Sequence, residues 1–145
     1  MGGSKWSDYS YTHLKRSYVG QTQQQVFQQS NVHKNMSPKG VKFRESRDSA
    51  NHPNTVPIAL FVDETGSMGT IPESLIRNKL GTLMNVLIKH GVPDGQILFG
   101  GVGDHYSDEG PLQVGQFESG TDELNRCLQE IWLEGNGGGQ GRESY

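Results

Sequence analysis

Asp63, Thr65 and Ser67 stand two residues apart in the segment Asp63-Glu64-Thr65-Gly66-Ser67-Met68. A tight turn with that spacing can aim one carboxylate and two hydroxyls at a single point. These are hard oxygen donors, suited to Mg2+ or Mn2+ rather than to Zn2+. Glu64 falls outside the two-residue alternation and is expected to face solvent. Asp104 is the other carboxylate of interest: it can approach the metal through water, or simply form a turn. His105 beside it suggests a histidine–carboxylate pair, but a surface turn histidine is the plainer reading. His13, His33, His52 and His90 have no ligand spacing, and no Ser–His–Asp arrangement is supported by residue spacing. The lone cysteine, Cys127, excludes a disulfide framework and a thiolate zinc site, and it reads as a small core residue.

The elements that must position these residues begin at Val56. Val56–Val62 (VPIALFV) is an uninterrupted apolar run that stops at Asp63. Its β-branched content favours a strand buried on both faces. A helix is expected from about Pro72 to Lys89. Pro72 sits in its first turn, Ile76, Leu80, Leu83, Met84 and Leu87 form its apolar face, and Gly91 stops it. Gln96–Gly103 (QILFGGVG) is a second apolar strand. Strand, helix and strand in this order predict a right-handed βαβ unit with parallel strands, about Pro57–Val62 beside about Ile97–Val102. Pro111–Phe117 then alternates and predicts an antiparallel neighbour of the second strand. Thr121 is expected to cap a last helix whose inner face is Leu124, Cys127, Leu128 and Ile131. In an open parallel sheet, ligands bind at the carboxyl ends of strands, which is where Asp63 falls.

Asp63-x-Thr65-x-Ser67, preceded by VPIALFV and followed by GTIPESL, resembles the DxSxS/DxTxS metal motif of the von Willebrand factor type A (VWA) domain. The resemblance spans roughly residues 56–145 and implies an α/β, Rossmann-like sheet with flanking helices. It also implies a binding module rather than an enzyme. Asp63, Thr65 and Ser67 would hold Mg2+ (or Mn2+), whose open position takes a carboxylate from a protein partner. The glycine-rich loop 135–141 resembles the loop that bears a further threonine ligand in the family, although residues 136–140 here are Asn, Gly, Gly, Gly and Gln. On this resemblance the chain is expected to be a C-terminally truncated member, with an open edge on the first strand.

Two other readings stand beside it. DETGS also looks like the DKTGT motif of P-type ATPases in the haloacid dehalogenase-like class, with Asp63 as a nucleophile forming an aspartyl phosphate. Gly103-Asp104-His105-Tyr106-Ser107-Asp108 fits the GDxxxD metal motif of that class. The spacing is against it, because only one helix separates the two motifs. The third reading is a scaffold that binds no metal.

Composition bounds the rest. The 145 residues have a mean hydropathy of −0.66 and a net charge of −3, which argues against a general affinity for nucleic acid. No apolar stretch is long enough to cross a membrane, and no apolar leader opens the chain, so a reducing cytoplasmic setting is expected. Charge divides sharply: residues 1–55 carry eight Lys/Arg and three Asp/Glu, residues 56–145 five and thirteen. Residues 1–55 are polar, glutamine-rich at 22–30 and without periodicity. They are expected to form a mostly irregular arm, loosely attached to the 56–145 domain. Its basic excess could meet RNA or an acidic partner, although a solvated arm is the simpler reading.

Overall fold

A computed structural model describes residues 3–64, 70–106 and 108–134. Three strands, β1 (Val56–Asp63), β2 (Gly95–Val102) and β3 (Leu112–Glu118), form a mixed sheet in the order β1-β2-β3. β1 and β2 are parallel, in register from Val56↔Gly95 to Asp63↔Val102. β3 is antiparallel to β2, with an irregularity between Leu98 and Gly100. The chain is therefore an α/β fold with the expected strand directions.

The β1–β2 crossover is helical from Thr70 to Lys89, close to the expected span. It has three parts: α3 (Thr70–Ser74), a π-helical turn at Leu75–Lys79, and α4 (Leu80–Lys89). The π turn lies where α1 (Asp8–Ser17) docks. Tyr11 of α1 donates its hydroxyl to the carbonyls of Leu75 and Ile76, each at 3.3 Å. Gly81 makes room for the Tyr11 ring, since a Cβ there would come within 2.7 Å of it.

Ile58, Leu60 and Val62 share one face of β1 with Ile97 and Phe99 of β2. They pack with Ile76, Leu80 and Met84 of the crossover and with Leu124 and Leu128 of α5 (Thr121–Gln129). The opposite face of β1 is open: Pro57 and Ala59 are exposed, and Phe61 is 46% exposed. Burial on both faces, expected for β1, belongs instead to β2, which is buried throughout because it is the central strand.

The N-terminal segment is not loosely attached. It contains α1 and a short α2 (Gln23–Val26), and Tyr11, Tyr18, Val26, Phe27 and Met36 are in the core. Tyr18 exchanges hydrogen bonds with Asn125 of α5 at 2.7–2.9 Å. Arg77 donates to the carbonyls of Tyr18 and Gln21, both at 2.7 Å. Few apolar residues suffice because Tyr11 and Tyr18 bury their rings while their hydroxyls are hydrogen-bonded within the fold.

Thr121 is the first residue of α5, and Gly120 is its N-cap. The Thr121 hydroxyl accepts from the Ser7 N–H at 2.8 Å and donates to the Ser7 carbonyl at 3.2 Å. It pins the start of α1 rather than capping its own helix.

Candidate functional site at the carboxyl ends of the parallel strands

Asp63 closes β1 opposite Val102, and the Glu64 N–H donates to the Val102 carbonyl at 3.0 Å, extending the ladder by one residue. Side chains alternate along a strand. Glu64 therefore continues the inward set of Ile58, Leu60 and Val62, while Asp63 belongs to the other face. Glu64 is fully buried, which corrects the expectation that it faces solvent. The signal was present in the sequence: parity counted from Val62, rather than from Asp63, turns it inward.

Its surroundings are built by Gln113 of β3, Gly101 of β2 and Gly103 just after β2. Gln113, opposite Gly101, donates its amide to Glu64 Oε2. The same amide nitrogen donates to the Trp132 carbonyl at 2.9 Å, and the amide oxygen accepts from the Trp132 N–H at 2.9 Å. Gly101 and Gly103 leave the space in which the carboxylates sit. A Cβ at Gly101 would fall on Glu64 Oε2, and one at Gly103 would fall on carboxylate oxygens of both Glu64 and Asp108.

Asp104 and Asp108 close the turn after β2. The Asp104 N–H donates to Asp108 Oδ2 at 2.6 Å, and the Asp108 N–H to the Asp104 carbonyl at 3.0 Å. Asp104 Oδ1 accepts from the Tyr106 N–H at 2.8 Å. Asp104 is buried and forms a turn, whereas His105 is exposed and stacks edge-on with Tyr106. Glu64 Oε1 and Asp108 Oδ1 have no hydrogen-bond partner among the described residues.

Burial pushes the Glu64 carboxyl up to about 8; the Gln113 hydrogen bond opposes this, while the charges of Glu134, Asp108 and Asp63 add to it. At neutral pH the isolated chain therefore keeps a proton on Glu64. Negative charge is concentrated at this end of the sheet, and a cation there would replace that proton or neutralise its neighbours.

Thr65 and Ser67, expected with Asp63 to hold a metal, lie outside the described residues. Among the described residues no group of three His, Cys, Asp or Glu is arranged to hold a metal ion. Asp108, noted in the sequence only within GDxxxD, is brought against Glu64.

A second constellation was not legible from spacing. His52 Nε2 lies 3.1 Å from Ser119 Oγ, and Nδ1 lies 3.5 Å from Asp94 Oδ1. The Ser119 hydroxyl, however, donates to the Ser4 carbonyl at 2.8 Å, and the same carbonyl lies 2.9 Å from His52 Nε2. Ser119 is 1% exposed. The group fastens the N-terminal segment to the sheet and offers no accessible nucleophile. Cys127 is buried as expected, and burial pushes its thiol up to about 11.

No family model, no curated protein and no solved structure matches the chain. Among the described residues no helix is long and apolar enough to cross a membrane.

Proposed function

We propose that the chain is a divalent-cation-dependent protein-binding module of the VWA type, with a Rossmann-like sheet. Asp63, Thr65 and Ser67 hold Mg2+ or Mn2+, and Asp104 shapes the turn beside them. The observation that carries this reading is topological. Asp63 is the last residue of a strand parallel to its neighbour, and the crossover helix begins at Thr70. Thr65 and Ser67 thus follow in sequence the strand end at which open parallel sheets bind ligands. An antiparallel β3 on the far side of β2 and the buried Asp104 and Asp108 in the turn after β2 also support it.

The chemistry follows from the donor set. Asp63 supplies the charge and two hydroxyls supply neutral oxygens. That leaves a hard cation short of negative ligands and receptive to a carboxylate from a protein partner. The phosphotransfer reading shares Asp63 and the Gly103–Asp108 turn but assigns Asp63 to covalent attack.

Thermal melting of the full chain in EDTA and in Mg2+ tests the proposal. Saturating Mg2+ should raise the melting temperature by several degrees, because binding at about 100 times Kd adds about 2.7 kcal/mol. The double change Thr65→Ala with Ser67→Ala should remove the shift and leave the EDTA melting point in place. An unchanged shift in the double variant contradicts the site. Turnover of a phosphate ester that is lost in Asp63→Asn would favour phosphotransfer.

A further inference from the structure

The basic excess of residues 1–55 is not spread evenly over the surface. Lys34, Lys39, Lys42 and Arg44 line one groove of about 450 Å3, together with Phe43 and Gln116. Among the described residues no Asp or Glu lines that groove, although the chain as a whole carries a net charge of −3. Among the described residues, Lys34, Lys39 and Lys42 form no ion pair. Glu130, near this segment, is occupied by the Asn35 side chain at 3.0 Å.

The groove is pre-shaped. The Val114 N–H donates to the Met36 carbonyl at 2.8 Å, fastening the segment to β3, and Met36 is fully buried. Gly40, at φ +77°, sits in a turn closed by the Val41 N–H to the Pro38 carbonyl at 3.1 Å. The left-handed conformation at Gly40 would strain any other common residue there. Arg44 is held by Nε to the Gly115 carbonyl at 2.8 Å. Phe43, between Lys42 and Arg44, is 72% exposed. A large aromatic ring left in water beside four cations has no role in the core.

We propose that this groove binds single-stranded nucleic acid, with the cations on successive phosphates and a base stacked on Phe43. Cations that neutralise phosphates release condensed counterions, and aromatic faces stack bases without regard to sequence. The Asp and Glu side chains of an acidic peptide would satisfy the cations but offer no aromatic face to stack on Phe43. The net charge of the whole chain opposes binding elsewhere, so the contact is local and strongly salt-dependent. This proposal is independent of the cation site at Asp63.

Fluorescence anisotropy of the full chain with labelled 15-mers of dT and U at increasing salt tests it. Binding should weaken with a log–log salt slope of about −2 to −3, from three or four phosphates at roughly 0.7 each. Lys39→Glu with Lys42→Glu should weaken binding at least tenfold. Phe43→Ala should also weaken it while leaving the slope unchanged, because stacking releases no counterion. Unaltered melting temperatures keep these variants interpretable. Absence of binding at low salt would overturn the proposal. So would poly-glutamate binding as tightly as the 15-mers together with an unaffected Phe43→Ala, which would mark an acidic protein segment as the occupant.

Discussion

Glu64 and Gln113 meet across the end of β2: the Gln113 amide donates to Glu64 Oε2 and simultaneously spans the Trp132 backbone. One side chain from β3 thus holds a buried carboxyl in place and ties down the chain that follows α5. The other Glu64 oxygen is left without a partner among the described residues, on the side of Gly103 and Asp108.

The first prediction concerns pH. The folded chain holds the Glu64 proton to about 8, against an ordinary value of 4.5. The folded state therefore binds more protons than the unfolded state between these values. The stabilisation is complete below about pH 4.5 and is lost as pH rises through 8, at no more than about 1.4 kcal/mol per pH unit. In EDTA, wild-type melting temperature should fall from pH 5 to pH 8, and Glu64→Gln should flatten that fall. Parallel pH profiles for the two proteins would show that Glu64 is ionised in the folded chain.

The N-terminal segment supplies the second. Tyr18→Phe removes a buried hydroxyl from Asn125 and should cost about 1–3 kcal/mol, the penalty of an unsatisfied polar group. Tyr11→Ala empties the space made by Gly81 and should cost about 3–5 kcal/mol. Chemical denaturation measures both. Losses under 0.5 kcal/mol for each would mean that α1 is not part of the cooperative fold.

Cys127 gives the third. With its thiol buried and shifted to about 11, it should resist a thiol-reactive dye in the native chain at pH 8 and react at once in denaturant. Rapid native labelling would contradict the packing of α5.

The β1–crossover–β2 order was readable because apolar runs of strand length and a 3.6-residue stripe leave few alternatives. The antiparallel β3 followed from its short connection. The N-terminal segment was not readable in the same way, since only Tyr11 of α1 is buried and a polar helix shows no stripe. Its local signals were caps: Ser7 before Asp8, which does cap α1, and Thr22-x-x-Gln25, which does form a capping box at α2. At the site, Asp63 at the strand end was legible from the abrupt end of an apolar run. The inward turn of Glu64 needed parity counted from Val62, and the approach of Asp108 needed the fold of the 104–108 turn. The His52–Ser119–Asp94 cluster joins residues far apart in the chain, which no spacing rule connects.

The functional reading rests on the proposed divalent-cation site at Asp63, Thr65 and Ser67. The most direct test is Mn2+ titration followed by electron paramagnetic resonance of the free ion. One Mn2+ should be removed per wild-type chain, competed by Mg2+, and none by Asp63→Ala or by Thr65→Ala with Ser67→Ala. Stoichiometric Mn2+ uptake that persists in both variants, or no uptake by the folded wild-type chain, would contradict it.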